Sequence, residues 1–123
     1  KWAEPAMGDL MAAVDYAVSL GYVDKNKLGV TGGSYGGYMT SFVVTRTDRF
    51  KAASMGAGLP NLISMTSTTD ISNYLVAHMG DEFWNDYKTY EKHSAIYRIK
   101  NVVTPVSFSP LIIAQLIGAA PLY

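Results

Sequence analysis

Leu28-Gly29-Val30-Thr31-Gly32-Gly33-Ser34-Tyr35-Gly36-Gly37-Tyr38-Met39 is the stretch on which the fold turns. Its first four residues are short and apolar, the profile of a buried strand. A glycine-rich segment follows at once. Tyr38, Met39, Phe42 and Val43 then recur at helical spacing, toward an end near Thr47-Asp48. A Gly-x-Ser-x-Gly sequence between a strand and a helix is the pattern of a nucleophile elbow, a sharp turn that lifts a serine hydroxyl clear of a sheet. The glycines have a steric reason. The turn crowds the backbone two residues before and two after the serine, which assigns those places to Gly32 and Gly36. Valine at either is expected to cost on the order of several kcal/mol. Ser34 is expected to have a positive φ and to act as the nucleophile. The Tyr35 N–H opens the next helix, where it can stabilise an oxyanion.

Two other readings compete for the same residues. The five-residue motif alone arises by chance in roughly a few per cent of chains this long, so an inert glycine-rich turn is one. A phosphate-binding loop is the other, but it needs a following Lys-Ser/Thr, and Gly37 is followed by Tyr38-Met39. The strand before the motif and the helical pattern after it favour the elbow.

The flanking segments extend the pattern. Met7, Leu10, Met11, Val14 and Val18 predict an amphipathic helix from Glu4 to Leu20, with Pro5 in its first turn and Gly21 as a stop. Asp24-Lys25-Asn26 carries turn chemistry. Phe50 to Met55 reads as a second short buried strand. Leu59 to Glu82 is rich in Ser, Thr and Met, and predicts a loop followed by a helix near Ile71 to His78. A short helix is expected over Asp86 to Lys92, a connection over Ser94 to Asn101 and a third strand over Val102 to Phe108. Helix, strand, sharp turn, helix, strand is the alternation of an α/β fold with parallel strands and crossover helices.

With these segments in place, the chain resembles the catalytic domain of the prolyl oligopeptidase family. The likeness is carried by Trp2-Ala3-Glu4-Pro5, Asp9-Leu10, Ala13-Val14-Asp15-Tyr16, the run from Leu28 to Met39, and Phe50-Lys51-Ala52-Ala53, in that order. The acylaminoacyl-peptidase and dipeptidyl-peptidase branches are the nearest. The resemblance implies the central part of an α/β-hydrolase fold over residues 1–106, followed by a divergent apolar tail over 107–123. It implies a serine-type peptidase that cleaves short peptides through an acyl-serine intermediate. Ser34 carries over as nucleophile, and Tyr35 as oxyanion donor and substrate-pocket residue. Tyr74 matches a pocket tyrosine, or is an ordinary packed aromatic.

The pattern breaks further on. In this fold the order is Ser, then Asp or Glu, then His. Here no Asp or Glu follows Glu91 and no His follows His93, so the family's catalytic aspartate and histidine have no counterpart. His93 reads as part of a solvated connection, and His78 as a residue near the pocket rim. The chain as given is therefore expected to be an incomplete, inactive piece of such an enzyme. A carboxylesterase-like hydrolase and a non-catalytic interaction remnant are the alternatives.

Composition narrows the partners. Ten basic and ten acidic residues cancel, which removes the electrostatic case for nucleic acid or a membrane surface. There is no cysteine, hence no disulfide and no thiol nucleophile. Asp81-Glu82 lacks a ligand cluster around it, and neither metal nor cofactor is expected. Val102 to Tyr123 is uncharged, but Pro105, Pro110 and Pro121 divide it, which favours a strand and tail over a membrane span. The expected partner is a short peptide and the expected compartment is the cytoplasm. Oligomeric state is not legible.

Overall fold

Helix α1 spans Glu4–Ser19 in the computed structural model, which describes residues 2–109. Pro5 sits in its first turn, and Gly21, with φ of 86°, turns the chain away beyond its end. Ala6, Met7, Leu10, Met11 and Val14 pack half-buried against the core, as their spacing predicts. Strand β1 covers Leu28–Gly33, helix α2 Tyr35–Val44 and strand β2 Phe50–Gly56. β1 and β2 pair in parallel, with Val30 opposite Ala53 and Gly33 opposite Gly56. The strand–helix–strand unit is thus the one expected, although β1 runs two residues further and α2 stops short of Thr47.

Strand β3, Val106–Ser109, joins the other side of β2 in parallel, giving the order β1-β2-β3. Its ladder starts later than the expected Val102. The Val102 N–H instead closes the preceding 3-10 turn on the Ile99 carbonyl. Two bonds then guide the chain into the sheet. Thr104 Oγ1 donates to the Phe50 carbonyl at 2.8 Å, and the Ala53 N–H donates to the Pro105 carbonyl at 2.9 Å. β3 runs three residues past Val106, where the sequence placed the start of a tail. The rest of that tail, 110–123, lies outside the described residues.

Between β2 and β3 come α3 (Leu62–Thr68), α4 (Ser72–Met79), α5 (Tyr87–His93) and a 3-10 segment, Ala95–Asn101. α4 and α5 lie where expected, and Asp86 caps α5 by accepting the Thr89 N–H. α3 replaces part of an expected loop. The Asn61 side chain accepts the N–H groups of Ile63 and Ser64, and Thr66, Ser67 and Thr68 return their hydroxyls to carbonyls four residues back. Among the described residues no helix is long and apolar enough to cross a membrane.

Helix α2 is the centre of the core. Gly37 through Val44 are all buried, and the helix packs across both β1 and β2. Tyr38, Phe42 and Val43 meet Phe50, Leu62, Leu75 and Tyr90. The expectation of fully buried strands needs correction. Along β1 half-buried Leu28, Val30 and Gly32 alternate with exposed Gly29, Thr31 and Gly33, because the described helices cover one face of the sheet only.

Tyr38 ties this centre to α5. Its hydroxyl donates to the His93 carbonyl at 2.8 Å in a buried position, and burial pushes the phenol's pKa up, so it remains a donor. Tyr38→Phe would strand that carbonyl. The expected loss is about 1–2 kcal/mol in urea unfolding, the cost of an unsatisfied buried acceptor. Tyr22→Phe, at a residue 79% exposed, should cost nothing measurable.

Candidate active site

Ser34 sits between the last residue of β1 and the first of α2, with φ of 56° and ψ of −119°. The positive φ expected from the motif is present. A non-glycine residue there is strained, and the surroundings hold it in place. The Ser34 N–H donates to the Gly56 carbonyl at 3.0 Å, at the end of β2, and the Ser34 carbonyl accepts the Tyr38 N–H at 2.9 Å. The residue itself is exposed. The strain therefore delivers a hydroxyl to the surface at the carboxyl end of two parallel strands, where open α/β sheets bind ligands.

The glycines divide the work unevenly. A Cβ on Gly32 would lie 2.4 Å from the carbonyl carbon and oxygen of Gly36, a distance no side chain tolerates. A Cβ on Gly36 would meet open space. The expectation that both glycines exclude side chains is thus corrected. Gly32 must lack one because the Gly36 backbone lies against it, whereas Gly36 is needed only as close backbone. Gly37, which the motif does not include, is the second strict position. Its Cβ would come 2.2 Å from the Gly56 carbonyl oxygen. The doubled glycine in Gly36-Gly37 was the available signal.

Tyr35 is the first residue of α2, so its N–H has no carbonyl four residues back within the helix. It lies next to Ser34 at the positive end of a ten-residue helix, the arrangement an oxyanion requires. The Tyr35 ring is 42% exposed and stands edge-on to the Trp2 indole, centroids 5.2 Å apart. Tyr74, on α4 and 52% exposed, leans on the same indole at 5.9 Å. Both expected pocket tyrosines thus share one ring neighbour, and Tyr74 is a surface aromatic rather than a packed core residue.

The two histidines are held elsewhere. His93 is 3% exposed, not part of a solvated connection. It ends α5 with Nδ1 2.8 Å from the Thr89 carbonyl, packed where Tyr38 reaches its own carbonyl. His78 is half-buried, with Nδ1 2.8 Å from the Tyr74 carbonyl and its ring 4.3 Å from that of Tyr74. Among the described residues, the Ser34 hydroxyl makes no hydrogen bond to either imidazole. Asp81 works locally, accepting the Glu82 N–H and the Asn85 amide. Among the described residues no group of three His, Cys, Asp or Glu could hold a metal ion.

Comparisons with known proteins bear on the family and the fold. The sequence pattern of the prolyl oligopeptidase family matches residues 1–114. The uncharacterised peptidase YuxL of Bacillus subtilis is 37% identical over 100 residues, which make up 80% of this chain and 15% of that protein. The acylamino-acid-releasing enzyme of Arabidopsis thaliana is 31% identical over 109 residues, covering 81% of this chain and 14% of its own length. Among solved structures, an acylaminoacyl peptidase of Pyrococcus horikoshii superposes with a TM-score of 0.75 at 27% identity, over 81% of this chain and 17% of that one. The three parallel strands and their helices thus match part of an α/β-hydrolase domain. The chain spans about one-seventh of the length of these curated relatives.

Proposed function

The chain belongs to the prolyl oligopeptidase family of serine peptidases, and on that premise we propose that Ser34 is the nucleophile of a peptidase acting on short peptides. The observation that carries this is the backbone of Ser34. A strained, exposed serine at a strand-to-helix turn, anchored to Gly56 and seated over Gly32, has no structural purpose that a glycine would not serve better. Ser34 Oγ attacks the scissile carbonyl, and the Tyr35 N–H receives the charge that develops on its oxygen. Loss of the amine leaves an acyl-serine, which water then hydrolyses. The hydroxyl needs a base to take its proton. Neither His78 nor His93 bonds the Ser34 hydroxyl, and each holds its Nδ1 to a carbonyl of its own helix, so this reading takes the histidine and its orienting carboxylate from other parts of a longer polypeptide. The same elbow serves ester cleavage, and relative rates on amide and ester substrates separate a peptidase from a carboxylesterase.

Labelling with a fluorophosphonate tests the assignment. The full-length polypeptide should carry the label on Ser34, found by mass spectrometry of the modified peptide, and Ser34→Ala should carry none. Residues 1–123 alone should label no faster than their own Ser34→Ala control. A label on a different serine of the full-length protein would refute the nucleophile. Rapid labelling of the short chain would make His78 or His93 the base.

A further inference from the structure

The backbone at Ala3 is the starting point. Ala3 is buried, with φ of 57° and ψ of −65°, and the Glu4 N–H donates to the Trp2 carbonyl at 2.8 Å. This is the γ-turn of positive φ, rare and strained in any residue with a side chain. Strain of this kind persists only where the surroundings fix it, and it clusters at functional sites. Here it turns Trp2 back under the elbow. The indole is 7% exposed and is ringed by four partners. Tyr35 meets it at 5.2 Å and Tyr38 at 5.1 Å, both from α2, and Tyr74 at 5.9 Å and His78 at 5.3 Å, both from α4. Tyr35 and Tyr74 are the two in this group with large exposed faces, and the indole lies against both.

We propose that Trp2 is a positioning residue for substrate selection: by holding both the Tyr35 ring, next to Ser34, and the Tyr74 ring of α4, it sets the size of the acyl side chain the site accepts. This rests on the reading of Ser34 as nucleophile. Tyr35 adjoins the reacting hydroxyl and Tyr74 rises from a separate helix, so their spacing depends on the indole that both rest on. The wide, flat indole touches both rings and leaves the exposed part of each as an aromatic wall. Such a wall favours large apolar or aromatic acyl side chains over alanine-sized ones, through edge and face contacts between rings. A smaller residue at position 2 would let both tyrosines sink inward, changing which side chain fits without touching the hydroxyl.

The test compares Trp2→Leu and Trp2→Phe in the full-length enzyme, on the p-nitroanilides of N-acetylphenylalanine and N-acetylalanine. Trp2→Leu should raise KM for the phenylalanine substrate about tenfold and leave the alanine substrate within about twofold, with kcat little changed on either. Trp2→Phe should recover most of the loss. Diisopropyl fluorophosphate, which carries no such side chain, should label Ser34 at one rate in all three proteins. An unchanged preference between the substrates, in a Trp2→Leu protein that still unfolds cooperatively, overturns the proposal. So does an equal fall in kcat on both, the mark of a merely structural role. If Trp2→Leu does not fold, Trp2→Phe decides by the same ratio, which should shift about threefold. Absence of Ser34-dependent hydrolysis in the unsubstituted enzyme overturns the nucleophile assignment, and this inference with it. Unchanged selectivity overturns this inference alone.

Discussion

Ser34→Ala in the full-length enzyme is expected to lower kcat for peptide hydrolysis by at least about 10⁴-fold, while KM moves little. The asymmetry follows from what the oxygen does. The alanine methyl keeps the positive φ, the hydrogen bond to Gly56 and the helix start at Tyr35, because all of these are backbone features. Substrate still meets the same rings and the same N–H. Only the attacking atom is gone, so the loss falls on the chemical step. Steady-state kinetics on a chromogenic dipeptide checks this. Activity retained within tenfold would place the nucleophile elsewhere. Residues 1–123 alone should show no turnover above this variant, since an unassisted hydroxyl is a weak nucleophile at neutral pH.

Gly32→Ala and Gly37→Ala are expected to destabilise the fold by about 3 kcal/mol or more each, the upper range for overpacking against atoms that cannot retreat. In both cases the obstacle is backbone. The new methyl would overlap the Gly36 carbonyl in one and the Gly56 carbonyl oxygen in the other. Yielding means moving a helix away from a strand. Gly36→Ala is the contrast. Its methyl meets open space, and alanine favours helix over glycine by up to about 1 kcal/mol, so this variant should be neutral or slightly more stable. Urea midpoints for the three variants decide the matter. Equal losses at 32, 36 and 37 would show that the motif needs flexibility rather than room.

The strand–elbow–helix–strand core was legible because each part is written locally. Four apolar residues, a glycine-bracketed serine and a 3.6-residue repeat lie in one continuous run. What escaped depends on residues far apart in the chain. His93 stands among polar neighbours and reads as exposed, yet Tyr38, from α2, draws that corner into the core. Helix α3 is dense in hydroxyls, which sequence rules assign to loops. It forms because Leu62 is buried and its N–H is taken by the Ser94 hydroxyl, 32 residues on. The apolar look of β1 promised two covered faces, and the described helices supply one. Of the site, Ser34 and Tyr35 were visible in the motif. The place of Trp2 beneath Tyr35 and Tyr74 was not, since it arises from a turn at an alanine that no propensity favours.

The Gly56 carbonyl also bears on how this polypeptide is made. It is the acceptor that holds Ser34 and the surface against which Gly37 rests. Synthesis proceeds from the amino end, so Ser34 is joined to the chain before its anchor exists, by about one to a few seconds at ordinary elongation rates. In that interval the turn has nothing to offset its strain, and the nascent segment relaxes to ordinary dihedrals. The reactive geometry is therefore acquired only after β2 has been translated and has docked beside β1. A chain that ends between Ser34 and Gly56 carries the serine but not the elbow.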